Sequence, residues 1–203
     1  MFPFDVILFD VGGVLLTNGW DTRERALAIE QFHLDAAGFE ARHHTAYAAW
    51  ERGTVPLQAY LDAVVFNEPR GFSPDDFFAF MRTQSKILPD GALGTLKELS
   101  ASNKYTLGAL NNEARETNKY RFETFGLFNY FKVALSSCYL GLRKPDMAIF
   151  QTAIEILGRP AERILFIDDR IENAAAAAQA GMKAIRFEGE KSLREELVTL
   201  GAM

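Results

Sequence analysis

Val6-Ile7-Leu8-Phe9-Asp10-Val11-Gly12-Gly13-Val14-Leu15 decides how this chain is read. Val6 to Phe9 is a short, unbroken apolar run, and an acid follows it. A strand buried on both faces of a parallel sheet reads this way, with polar chemistry at its carboxyl end. The same grammar recurs. Tyr105 to Leu110 runs into Asn111-Asn112, Val133 to Leu135 into Ser136-Ser137, and Ile164 to Ile167 into Asp168-Asp169. A fifth run, Met182 to Phe187, lies further on. Helical patterns separate these runs: Gly91 to Ser100, Ala114 to Phe125, Met147 to Leu157 and Ile171 to Ala180. Strict alternation of strand and helix predicts an α/β, doubly wound, mostly parallel sheet. Such sheets hold their ligands at the carboxyl ends of the strands.

The stretch 18–86 breaks the alternation. It reads as four successive helices, Thr22 to Ala37, Glu40 to Glu51, Pro56 to Val65 and Pro74 to Ser85, with turn signals at Gly38, Gly53 and Pro69 to Gly71. A helical cap inserted after the first strand is expected, leaving 1–17 and 87–203 as the core. Phe72, Phe77, Phe78 and Phe80 are read as its apolar interior. The five alanines Ala174 to Ala178 are read as a small-residue face lying close to the sheet.

Composition narrows the partners. Of 203 residues, 48% are hydrophobic and 24% charged, so a sizeable core is available. The net charge of -5 leaves no basic surplus to neutralise a nucleic-acid backbone. No apolar run approaches the roughly 20 residues that span a bilayer. The single cysteine, Cys138, excludes an internal disulfide and a thiolate metal site, and is read as a small buried hydrophobe. The start of the chain carries no basic, apolar leader. A cytoplasmic monomer or weak homodimer is therefore expected, with a small molecule as partner and neither nucleic acid nor membrane.

Asp10, Asn111, Lys144, Asp168 and Asp169 each have an ordinary explanation alone, as turn caps or solvated charges. Together they place three acids at the ends of buried strands. Clustered carboxylates repel, and without a cation one of them is forced neutral. A hard divalent ion resolves this, and Mg²⁺ prefers a few carboxylates plus substrate phosphate oxygens. At about 4 Å and an effective dielectric near 20, one lysine–carboxylate contact is worth roughly 4 kcal/mol. Lys144 is thus able to hold a carboxylate ionised and oriented. Asn111-Asn112 ahead of a helix offers amides beside free backbone N–H groups, a site for an anion.

Phe9-Asp10-Val11-Gly12-Gly13-Val14-Leu15 resembles the first motif of the haloacid dehalogenase superfamily. Leu110-Asn111-Asn112 resembles the second, Lys144-Pro145-Asp146 the third, and Ile167-Asp168-Asp169-Arg170-Ile171-Glu172-Asn173 the fourth. Order and spacing match across essentially the whole chain. The first and fourth motifs are similar to those of the branch holding α-D-glucose-1-phosphate phosphatases and the N-terminal domain of epoxide hydrolases. The resemblance implies a Mg²⁺-dependent hydrolase of phosphorylated small molecules. In it Asp10 is the nucleophile, Asn111 and Lys144 bind the phosphoryl group, and Lys144 also orients Asp10. Asp10, Asp169, Asp168 and the Gly12 carbonyl hold the metal, with Asn173 behind them. Asn112, Arg170 and Trp20 are read as substrate contacts, and Arg143 as solvated.

Phosphatases of this superfamily usually carry an aspartate, as general acid and base, where this chain has Gly12. Losing such a group typically removes about 10² to 10⁴ in rate. Three readings stay open: a phosphatase acting on a good leaving group such as a sugar 1-phosphate, a hydrolase of carbon–halogen or carbon–phosphorus bonds, or a binding protein with little turnover. His33, His43 and His44 fall in the helical stretch, where one of them would be able to supply the missing proton.

Overall fold

The computed structural model describes residues 3–203. Strand β1 (Val6–Phe9) leads into four helices, α1 (Thr22–Gln31), α2 (Ala36–Glu51), α3 (Leu57–Val64) and α4 (Pro74–Thr83). Then follow α5 (Leu93–Ser102), β2 (Thr106–Asn111), α6 (Arg115–Thr124), β3 (Val133–Ser136), α7 (Ser137–Leu140), α8 (Met147–Leu157), β4 (Ile164–Asp168), α9 (Ile171–Gln179), β5 (Lys183–Arg186) and α10 (Glu190–Thr199). The strands form one sheet in the order β3-β2-β1-β4-β5, and every pairing is parallel. The fold class is the α/β, doubly wound one expected.

Period-two alternation sends each strand's residues to both faces. Ile7, Phe9, Leu165 and Ile167 pack with Leu96, Phe122 and Leu193 on one side. Val6, Leu8, Ile164 and Phe166 pack with Ile149, Phe150 and Ala177 on the other. Both faces are covered, which is why these runs carry no polar residue. Ala176 and Ala177 belong to the second cluster, so the alanine run does give α9 a close approach to the sheet. The N-terminus of α5 has no side-chain cap of its own. Glu190 at the start of α10 caps it instead, accepting from Thr95 N at 2.8 Å and Thr95 Oγ1 at 2.9 Å.

The helical stretch departs from expectation at its first break. One helix from Thr22 to Ala37 is not found. Helix α1 ends at Gln31, His33 adopts φ 52°, and Asp35 caps α2 by accepting from Gly38 N at 2.9 Å. Gly38 therefore lies inside the first turn of α2 rather than in a turn between helices. The cap-forming carboxylate of Asp35 outweighs a glycine that is cheap to place in a first turn. Helix α4 begins as read, with Ser73 as N-cap and Pro74 in its first turn. Phe77 is fully buried among Phe39, Tyr60 and Leu61, with Phe72, Phe78 and Phe80 packed against that cluster.

The two segments that enter and leave the helices lie side by side. Leu16 and Ile87 form an antiparallel bridge, and Thr17 N donates to Lys86 O at 2.9 Å. No helix among the described residues is long and apolar enough to cross a membrane.

Candidate active site

The parallel register decides where the acids fall. Phe9 is level with Ile167 of β4 and Ala109 of β2, so Asp10 and Asp168 emerge side by side at the sheet's carboxyl edge. The chain runs from β1 outward to β3 and then returns to β4 on the other side, so this edge is the topological switch point. Lys144 enters from the loop between α7 and α8. Asn112 clamps its backbone, donating to Lys144 O and accepting from Lys144 N, both at 2.8 Å. The Lys144 ammonium then lies 3.0 Å from Asp10 Oδ1 and 2.6 Å from Asp168 Oδ2. All three are buried, with Lys144 only 2% exposed and Asp168 0%.

Asp168 is saturated. It accepts from Lys144, from Arg170 N at 2.9 Å, and from Asn173 Nδ2 at 3.0 and 3.1 Å on its two oxygens. Among the described residues Asp10 accepts through Oδ1 only, from Val11 N and Lys144. Asp169 is different again, because its Oδ1 is buried with no hydrogen-bond partner. It lies against Gly13, whose φ is 72° and where a Cβ would come within 2.3 Å of Asp169 Oδ2. Only glycine combines that backbone conformation with that approach. Oxygens of Asp10, Asp168 and Asp169 all lie within 4.8 Å of one another.

Three carboxylates face one ammonium, so the cluster has a surplus of negative charge. Burial drives the pKa of Asp10 up to about 7, with Asp168 and Asp169 adding to the rise and Lys144 opposing it. Asp169 is also raised, by burial and by Asp168. Burial works against the Lys144 ammonium, but Asp10 and Asp168 outweigh it and hold its pKa above the ordinary value.

A cavity of about 370 Å³ opens between this edge and the helical stretch. Gly12, Trp20, Asn112, Arg170 and Asn173 line it together with Asp10 and Lys144. Asn111 does not line it. Its side chain turns to Asn118 and Ser136, donating to the first at 2.9 Å and accepting from the second at 2.8 Å. Trp20 donates to Tyr60 Oη at 2.8 Å, and Arg170 pairs with Asp21 at 3.0 Å. Arg143, expected to be solvated, instead pairs with Glu51 at 2.7 Å and stacks over Tyr47. Cys138 is buried as read, and burial pushes its thiol pKa up to about 12.

Of the lining groups, Arg121 and Asn18 had no signal in the sequence, whereas His43 was one of three candidate histidines. Arg121 of α6 pairs with Glu113 and donates to the carbonyls of Thr17 and Asn18, more than a hundred residues away. Asn18 fills the space beside Gly12, where an added Cβ would meet Asn18 Oδ1 at 3.0 Å. His43 is 4% exposed and stacks on Tyr47, and burial and the nearby Arg25 lower its pKa to about 4. A histidine depressed in the folded state binds its proton only on unfolding. Stability therefore falls as pH drops from the ordinary histidine value of 6.5 through about 4. The melting temperature should drop more between about pH 7 and about pH 4.5 in wild type than in His43→Gln, and equal drops would refute this assignment.

Residues 4–181 match the haloacid dehalogenase-like hydrolase family. The chain belongs to that family. Among curated relatives, flavin mononucleotide hydrolase 1 of Arabidopsis thaliana is 28% identical over 197 residues, covering 93% of this chain and 77% of that protein. Sesquiterpene phosphatase astK of Aspergillus oryzae is 26% identical, covering 91% and 90%. A shorter match of 70 residues, 29% identical, is to drimenol cyclase drtB of Aspergillus calidoustus, of which this chain spans 13%. The fold of a haloacid dehalogenase family enzyme from Bacteroides thetaiotaomicron superposes with a TM-score of 0.76 at 18% identity, over 97% of this chain and 99% of that one.

Proposed function

We propose that this hydrolase is a Mg²⁺-dependent phosphatase for a small phosphorylated molecule, with Asp10 as its covalent nucleophile. The carrying observation is the buried Asp10–Lys144–Asp168 chain with the unpartnered Asp169 oxygen beside it. A buried carboxylate oxygen without a partner, within reach of another carboxylate, suits a hard oxygen-seeking cation. Asp10, Asp169 and the Gly12 carbonyl would hold it. Asp168, whose oxygens are occupied, serves the lysine. Bound Mg²⁺ would supply positive charge against the phosphoryl oxygens.

The chain's own residues then divide the work. Lys144 holds Asp10 in place and presents its ammonium to the incoming phosphate. Asp168 holds Lys144, Asn173 holds Asp168, and Asn112 holds the Lys144 backbone. Asp10 bonds to phosphorus as the ester P–O bond breaks, and the leaving oxygen takes a proton from solvent water. Water next attacks phosphorus, inorganic phosphate departs, and Asp10 is restored. No carboxylic acid stands at position 12, so an alcohol that leaves readily suits the site best. Names of relatives agree with this class, as does phosphoglycolate phosphatase of Aquifex aeolicus, 26% identical over 180 residues.

We read residues 18–86 as the cap and the remainder as the core, which the separate aromatic cluster and the paired connecting segments support. Closing over substrate, it would exclude water while the phosphoryl group moves. A cytoplasmic setting fits the lone, buried cysteine.

The test is hydrolysis of p-nitrophenyl phosphate with Mg²⁺ and with chelator, alongside thermal melting. Turnover should require the metal. At saturation Mg²⁺ should add roughly 2–3 kcal/mol, a rise of several degrees in melting temperature. Asp169→Asn should abolish that rise. Equal turnover in chelator, or an undiminished shift in Asp169→Asn, would remove the proposal.

A further inference from the structure

Four guanidinium groups line the cavity, and each already has a carboxylate. Arg25 pairs with Glu40 at 3.0 Å, Arg143 with Glu51 at 2.7 Å, Arg170 with Asp21 at 3.0 Å, and Arg121 with Glu113. Lys144 is shared between Asp10 and Asp168. Among the described residues that line it, no arginine or lysine is left over for a second anionic group on the substrate. Displacing a carboxylate from a half-buried pair would cost more than a neutral group's entry.

One lining group offers a neutral donor instead. Trp20 Nε1–H can only donate, so the Tyr60 oxygen accepts from it, at 2.8 Å. The Tyr60 oxygen also lies 2.9 Å from His43 Nδ1. Tyr60 is 1% exposed, and His43 is the acceptor available to its proton. Tyr60 therefore donates to Nδ1, and the single imidazole proton must sit on Nε2. The opposite tautomer would strand the Tyr60 hydroxyl proton in an apolar site. Among the described residues Nε2 has no protein partner, it is not among the buried unpartnered atoms, and His43 lines the cavity. Burial keeps the ring neutral at physiological pH.

We propose that His43 reads the leaving group, donating through Nε2–H to an uncharged acceptor oxygen such as a ketone or amide carbonyl. The cavity thus selects phosphomonoesters whose leaving group is neutral and carries such an oxygen. Trp20, Tyr47 and Trp50 supply flat apolar walls beside it. The inference rests on the phosphatase reading above and names its substrate class.

The experiment uses three aryl phosphates in Mg²⁺: 3-acetylphenyl, 3-chlorophenyl and 3-carboxyphenyl phosphate. The first two phenols are of similar acidity, and only the first carries a carbonyl. Wild type should prefer 3-acetylphenyl over 3-chlorophenyl phosphate in kcat/KM by roughly five- to tenfold, the scale of one neutral hydrogen bond. It should disfavour the 3-carboxyphenyl ester. His43→Leu should erase the acetyl preference, and His43→Gln, which keeps an N–H donor, should retain part of it. The imidazole ¹⁵N spectrum of the free protein should show the proton on Nε2. A uniform loss on all three esters in His43→Leu would make the role structural only, and a wild-type preference for the carboxylate would overturn the proposal. No turnover of any ester would instead sink the phosphatase reading, and this inference with it.

Discussion

Asp10→Asn should lower kcat by roughly 10⁴ or more while leaving the protein at least as stable as wild type in the absence of metal. The first half follows from chemistry. An amide oxygen is a poor nucleophile toward phosphorus, and among the described residues no other side chain at the cavity floor pairs a free carboxylate oxygen with the Lys144 ammonium. The second half follows from electrostatics. Burial holds the pKa of Asp10 near 7, so ionising it in the folded state costs free energy. An amide removes that cost, and Lys144 keeps Asp168 as its partner. Steady-state kinetics and thermal melting in chelator check the two halves separately. Retained turnover would remove Asp10 as nucleophile. A large drop in melting temperature would mean that its charge holds the site together, contrary to the buried surplus of acid described above.

Lys144→Met should do the opposite to stability. Methionine approximates the side chain's length but brings no charge, leaving Asp168 fully buried against Asn173 and one backbone N–H. Breaking a buried pair by removing one partner typically costs about 3–5 kcal/mol. For a chain of this length that is a fall on the order of 10 °C in melting temperature. Activity should vanish as well. The double variant Lys144→Met with Asp168→Asn should recover much of the stability and none of the turnover, because the stranded charge is gone and the cation is still missing. A single variant as stable as wild type would refute the loss assigned to breaking this buried pair.

These contrasts follow a division that the sequence carries only in part. Strand positions and the chemistry at their ends were legible in Val6 to Phe9 and Ile164 to Ile167, because a buried parallel strand shows as an unbroken apolar run. Family likeness supplied the order of the motifs. The separate duties of Asp168 and Asp169 were not legible. Adjacent acids look alike in a sequence, and only the pleat sends one toward Lys144 and the other over Gly13. The break before α2 was missed because apolar spacing runs on through it, while the deciding contact is one Asp35 carboxylate. The pairings of Arg121, Arg143 and Arg170 join partners 8, 92 and 149 residues apart. No local spacing announces such contacts.

The side-by-side register of β1 and β4 has a consequence for how this chain tolerates change in length. A residue added within Ile164–Ile167 would carry everything beyond it about 3.3 Å along the strand and turn it to the opposite face. Ile167 would then stand where the Asp168 carboxylate now meets Lys144. Insertions and deletions should therefore be absent from this short segment in working homologues, yet common in the loop at Pro69 to Gly71.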